Sequence, residues 1–135
     1  MNIPAAKMLS IQAYERLVTF AERCGFHSLT ERLSPGNLDA IALANVYKES
    51  IRAEYEHNLS QQIYVTEAIW QAVTALKEQQ VFVIERILEA LPTNASGIML
   101  AAALKTFLEA DPMASMQPKV LEALRAEARN NLTSI

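Results

Sequence analysis

An all-α fold, a single-domain bundle of about five helices spanning residues 1–135, is what this sequence predicts, and three observations predict it. Three glycines and five prolines leave long stretches dominated by Ala, Leu, Glu and Gln, residues that suit helices and not sheets. Within those stretches apolar residues recur at spacings of three and four, the period of a helix with one buried face. Between them lie turn signals with capping residues attached.

The first helix is expected from about Pro4 to Arg23, with Leu9, Ala13, Leu17, Phe20 and Cys24 inward and Gln12, Glu15, Arg16, Thr19, Glu22 and Arg23 facing water. Gly25 supplies a stop. From Phe26 to Asn37 the periodicity lapses, and Ser34-Pro35-Gly36-Asn37 reads as a turn that offers Asn37 as the next N-cap. The second helix follows from about Leu38 to Gln61, with Ala40, Ala44, Tyr47, Ile51 and Tyr55 inward and the polar Asn58 almost in the middle of that stripe.

Thr66 is the expected N-cap of a third and longest helix, with Glu67 in its first turn, where an acidic side chain suits the helix dipole. Ile69, Val73, Leu76, Val83, Ile84, Ile87 and Leu91 keep helical spacing up to Pro92. Pro92 to Gly97 reads as a loop in which Asn94 or Ser96 caps a fourth helix, Gly97 to Ala110, rich enough in Ala and Leu to be buried on most sides. Asp111-Pro112 ends it. A last helix is expected from Gln117, with Pro118 at its first position, to Asn131, with Val120, Leu121, Leu124 and Leu132 inward. No internal repeat is read from the sequence.

Apolar residues make up 51% of the chain, charged residues 20%, and the formal net charge is −3. That is too hydrophobic for disorder and slightly rich for a soluble monomer, so some apolar surface is expected to be covered by a partner. Cations are scattered among the acids, which argues against nucleic-acid binding. The lone Cys24 cannot form an internal disulfide, and the expected setting is reducing. The start, Met-Asn-Ile-Pro-Ala-Ala-Lys, does not read as a signal peptide, and the longest apolar run, Ile98 to Leu104, is far too short to span a bilayer.

Chemistry-bearing groupings are few. Glu54 and His57 make a Glu-x-x-His pair on one helix, but di-metal bundles carry that motif on two helices with further glutamates opposite. Cys24 and His27 are two ligands where a zinc site takes three or four. A Cys–His nucleophile would further require an orienting group and an oxyanion site. Gly25, Gly36 and Gly97 are isolated from one another, so no phosphate loop is present. Tyr14, Tyr47, Tyr55, Tyr64 and Trp70 are spread over several elements and read as core. No metal or cofactor is implied.

What remains is the polar segment Ser50 to Gln62, in which Arg52, Glu54, His57, Asn58, Gln61 and Gln62 form a candidate network or interface. Buried polar groups are normally satisfied structurally, so the favoured reading is a network that sets helix register. The functional reading is a small-molecule or catalytic pocket built around Glu54, His57 and Asn58.

Three stretches carry a family resemblance: Gln12 to Leu17 (QAYERL), Ser50 to Thr66 (SIRAEYEHNLSQQIYVT) with Trp70 and Val73 after it, and Leu121 to Arg129, ending LRAEAR. In them the chain resembles an uncharacterised bacterial family of short helical proteins. The resemblance implies a helical domain of unknown function, often preceded by a membrane-spanning helix that faces the domain to the cytoplasm, and it supplies no catalytic residues. This chain begins almost directly at its first helix. The expectation is therefore a cytoplasmic protein, held at the inner face of the membrane where an upstream anchor is missing from the sequence. In function it is expected to be a non-enzymatic interaction module that binds a second copy of itself or another helical protein.

Overall fold

The computed structural model describes residues 3–111 and 115–133. Among them six α-helices follow one another: α1 (Ala5–Arg23), α2 (Phe26–Arg32), α3 (Ala40–His57), α4 (Glu67–Ala90), α5 (Gly97–Ala110) and α6 (Gln117–Thr133). A 3-10 helix, Leu59–Tyr64, separates α3 from α4. The all-α class agrees with the sequence reading, whereas the count of about five does not. Two elements account for the difference.

The first is α2, in the stretch where the helical periodicity reads as lapsing and no helix was expected. Phe26, Leu29 and Thr30 are buried and Leu33 is half-buried, an i, i+3, i+4, i+7 stripe that is one short helix long. Seven residues are too few to hold a helix in water. Burial of Phe26 and Leu29 in the core, worth about 2 kcal/mol each, offsets that cost. Gly25 both follows α1 and opens α2, accepting the amide of Leu29 at 2.9 Å. The second is the 3-10 helix, cut from the end of the expected second helix at Asn58.

Capping is local chemistry, and most of it falls where expected. The Thr66 hydroxyl accepts the amide of Ile69 at 3.3 Å, and the Ser96 hydroxyl that of Met99 at 3.2 Å. At α3 the cap is Asp39 and not Asn37, because Oδ1 of Asp39 sits 2.8 Å from the amide of Ala42 and the helix starts two residues later than expected. α5 ends at Ala110 with Asp111 as its C-cap, while Pro112 lies outside the described residues.

α1 packs chiefly along α6, α3 lies against α4 and α5, and α4 also meets α5 and α6. Their buried side chains join one cluster, with Leu17, Phe20, Tyr47, Leu76, Leu100 and Leu124 at its centre. Leu9 and Leu132, expected inward, are 43% and 53% exposed in the outer turns of the α1–α6 pair. Nor is α5 buried on most sides: Leu100, Ala101 and Leu104 are covered, but Ile98 and Met99 face water. Among the described residues no helix is long and apolar enough to cross a membrane.

An internal repeat is present after all. Pro35 to Ala44 and Pro92 to Ala101, 57 residues apart, share Pro35/Pro92, Asn37/Asn94, Ile41/Ile98, Leu43/Leu100 and Ala44/Ala101. Each copy closes the same turn, Leu38 N–H to Pro35 O and Ala95 N–H to Pro92 O, both at 3.0 Å, and each then starts a helix on an equivalent cap. The copies face one another across an antiparallel bridge at Asp39 and Ser96. There the amide of Ala40 donates to Ala95 O at 3.0 Å and the amide of Gly97 to Leu38 O at 2.8 Å. These exchanged bonds join equivalent atoms in opposite order, which is a local two-fold relation between the starts of α3 and α5. Spread over ten positions with five identities, the repeat is too short to stand out in the sequence.

Candidate functional site

Two grooves of similar size lie where α3 ends, and the residues singled out in the sequence divide between them. Asn58 decides where the helix stops. Its backbone amide donates to Tyr55 O at 3.0 Å and its side-chain amide to Glu54 O at 2.7 Å, so one residue satisfies two of the carbonyls that a helix end leaves without partners. Asn58 is buried, and the polar intrusion in the apolar stripe is thus a C-cap. The next carbonyl, His57 O, accepts Arg16 Nη2 at 3.0 Å from α1.

The first groove, open and about 640 Å³ in volume, runs between α1 and the end of α3 and is lined by Arg16, Phe20, Arg23, Glu54, His57 and Asn58 among others. Both oxygens of Glu54 are engaged by Arg23 Nε, at 2.8 and 3.0 Å, and Arg32 Nη2 approaches to 3.9 Å. The hydrogen bond to Glu54 raises the pKa of the Arg23 guanidinium, which stays charged. Arg32 in turn donates from Nη2 to Arg23 O and from Nε to Ser28 Oγ, both at 2.9 Å. One carboxylate therefore fastens α1, α2 and α3 together.

The carbonyls behind it are closed by glutamines. Gln117 Nε2 of α6 donates to Ala21 O at 3.0 Å, and Gln80 Nε2 of α4 to Cys24 O at 2.9 Å. A Cβ at Gly25 would press against the Gln117 amide, which would have to shift to make room. Cys24 is buried, its thiol pushed up to about 12 by burial and, secondarily, by Glu54, which leaves it inert at neutral pH. His27 points away, exposed, with Nε2 3.2 Å from Glu31. Among the described residues no three His, Cys, Asp or Glu side chains are grouped to hold a metal ion.

Of the six predicted residues, Glu54, His57 and Asn58 share this groove. The others are elsewhere. Arg52 is exposed beside α4 in a shallow depression with Lys77, Phe82 and Glu85. Gln61 is buried, donating to Ser60 Oγ at 3.1 Å, and Gln62 bonds Leu59 O at 3.0 Å on the rim of the second groove.

That second groove, open and about 670 Å³, is lined by Tyr55, Gln62, Val65, Glu67, Trp70, Gln71, Thr74, Ala75 and Glu78. Trp70, Thr74 and Lys77 stand at i, i+4 and i+7 on α4, and Tyr55 lies along that stripe. Its ring stacks on Trp70 at 5.3 Å, its hydroxyl is 2.7 Å from Thr74 Oγ1, and Lys77 Nζ sits 4.6 Å from its centroid. Tyr55, Tyr64 and Trp70, expected in the core, are half-buried. The sequence reading missed this groove because it took the aromatics as packing.

It also missed the joint between α1, α6 and the start of α4. Glu127 accepts the Tyr14 hydroxyl at 2.6 Å and the Thr66 hydroxyl at 2.5 Å. Asn131 Nδ2 donates to Ser10 Oγ at 2.5 Å, and Ser10 Oγ donates to Tyr64 O at 2.8 Å. Burial and the bond to Glu127 push the Tyr14 hydroxyl above its ordinary range. Tyr14, Thr66 and Glu127 come from three stretches far apart in sequence, and here those stretches meet.

The fold and its grooves define a small helical scaffold whose best-organised polar clusters join helices. The chain belongs to a family of unknown function (DUF7935), whose model matches residues 2–131. No curated protein and no solved structure matches it.

Proposed function

We propose that this chain is a non-enzymatic helical interaction module that associates with a second copy of itself through the pole where α3 and α5 begin. The observation that carries this reading is the exposure of Ile41 and Ile98, 56% and 65%, at equivalent positions of the repeat. Leu38 and Met99 beside them are also exposed. Isoleucines in these first turns neither cap a helix nor fill the core, and apolar side chains gathered at a surface mark contacts. The bridge between Asp39 and Ser96 holds both turns in place, so association orders little.

In a two-fold dimer the same patch on each copy meets its counterpart, so the exposed apolar side chains of one pole would face those of the other. Four side chains cover less than the roughly 800 Å² per partner of a standard interface, so the dimer is weak, with a micromolar or higher dissociation constant. A cytoplasmic setting, free or at the inner face of a membrane, goes with this reading. The alternative, a small-molecule pocket around Glu54, His57 and Asn58, draws less support, because the Glu54 oxygens and the Asn58 amide already have protein partners.

Sedimentation velocity over micromolar to millimolar concentration tests the proposal. Reversible dimerisation is expected, with the double variant Ile41→Glu, Ile98→Glu monomeric throughout at an unchanged melting temperature. A wild-type protein that stays monomeric at the highest concentration, or a dimer that survives both substitutions, rejects the pole as an interface.

A further inference from the structure

The geometry points to the Tyr55–Trp70 groove as a docking site for an extended segment of a partner protein that carries a cationic side chain at each end and apolar residues between. This surface is separate from the pole at α3 and α5, and the inference does not depend on self-association. The floor supplies apolar and aromatic contact from Tyr55, Val65, Trp70 and Ala75, and the rim carries two carboxylates, Glu67 and Glu78. Charge selects the occupant. Glu78 is exposed and forms no ion pair or hydrogen bond among the described residues, and Glu67 accepts only a long bond, 3.3 Å, from Gln71. Lys77, next to Glu78, is drawn over the Tyr55 ring instead.

Spacing narrows the occupant further. Glu67 and Glu78 are eleven residues apart on α4, a rise of about 16 Å along the helix. An extended chain covers that span in about five residues. The complementary segment therefore has Lys or Arg at its first and sixth positions. Proline among the four residues between favours the bound shape beforehand and places flat rings against the aromatic floor. An anionic segment or a nucleic acid would meet the same two carboxylates as repulsion.

Trp70 is the only tryptophan in the chain, so its fluorescence reads the groove directly. Hexapeptides with Arg at both ends and Pro, Leu, Ala or Val between are titrated into the full chain at low salt, beside the same peptides ending in Gln or Glu. Saturable change in Trp70 emission is expected with the Arg peptides, at least tenfold weaker with Gln ends and absent with Glu ends. The double variant Glu67→Gln, Glu78→Gln, which spares the apolar floor, is expected to weaken the Arg peptides at least tenfold, whereas Glu109→Gln on α5 does not.

Equal affinity for Arg- and Gln-ended peptides overturns the proposal, as does undiminished binding by the double variant or an unresponsive Trp70 up to millimolar peptide. Spermidine, which brings charge without apolar contact, is expected to bind at least tenfold more weakly; equal binding would make the groove a simple cation site. An emission change on concentrating the protein alone, blocked by the same double variant, would assign the groove to a second copy and overturn the peptide reading.

Discussion

Glu54 and Tyr55 are neighbours in sequence, yet they open onto grooves that differ in what their polar groups are doing. On the Glu54 side two arginines converge on one carboxylate, and the carbonyls at the end of α1 are taken by Gln80, Gln117 and Arg32. On the Tyr55 side the aromatic rings are partly covered, and the rim carboxylate of Glu78 has no partner among the described residues. Volume does not separate them, at about 640 and 670 Å³. Satisfaction does. A polar group with its partners already in place holds helices together, and one without partners remains available to a ligand.

The contrast breaks most sharply if the saturated side can be emptied without cost. Gln80 is 1% exposed, so Gln80→Ala leaves both a void and an orphaned Cys24 carbonyl; a loss of about 3 kcal/mol is expected in urea denaturation. Glu54→Ala strips Arg23 of its partner, and about 2 kcal/mol should be lost, moderated because both side chains are partly exposed.

Alkaline pH probes the same joint. The Cys24 thiol is raised to about 12, while in the unfolded chain it ionises near 8.5. Its contribution is thus fully present below that lower value and is lost as pH rises toward the folded one. Stability should fall by up to about 1.4 kcal/mol per pH unit above pH ~9, and Cys24→Ala should remove the onset of that fall. Tyr14 and Tyr47, both raised by burial, act in the same direction at higher pH.

Tyr47 sharpens the rule from the other side. It is fully buried and its hydroxyl has no hydrogen-bond partner among the described residues, so Tyr47→Phe should raise stability by about 1 kcal/mol. Smallest of all, Glu67→Gln with Glu78→Gln should shift stability by no more than about 0.5 kcal/mol, because neither exposed carboxylate holds an ion pair among the described residues. Calorimetric melts of both variants check these two expectations.

Features written in adjacent residues were legible in the sequence. Thr66 and Ser96 announce their helices because a cap needs only its own hydroxyl and an amide three residues on. Glu54 and Asn58 stood out in the sequence as polar residues beside an apolar line, and in the fold Glu54 meets Arg23 while Asn58 caps its own helix, with Arg52, Gln61 and Gln62 lying apart from them. Features that need distant partners were not legible. Nothing in the sequence marks Gln80 or Gln117 as buried partners, and only folding brings them to carbonyls 56 and 96 residues away. α2 escaped because its stripe is a single turn repeated once. The second groove escaped because Tyr55 and Trp70 carry the same apolar spacing whether they sit in a core or at its edge.

A double-mutant cycle on Arg23 and Glu54, read by urea denaturation of wild type, Arg23→Ala, Glu54→Ala and the double variant, tests most directly whether the Glu54 groove is a structural joint. A coupling of at least about 1 kcal/mol is predicted, with the double variant less damaged than the sum of the singles. Single variants as stable as wild type, with no coupling between them, would contradict it and return Glu54 to the pool of residues free to bind something else.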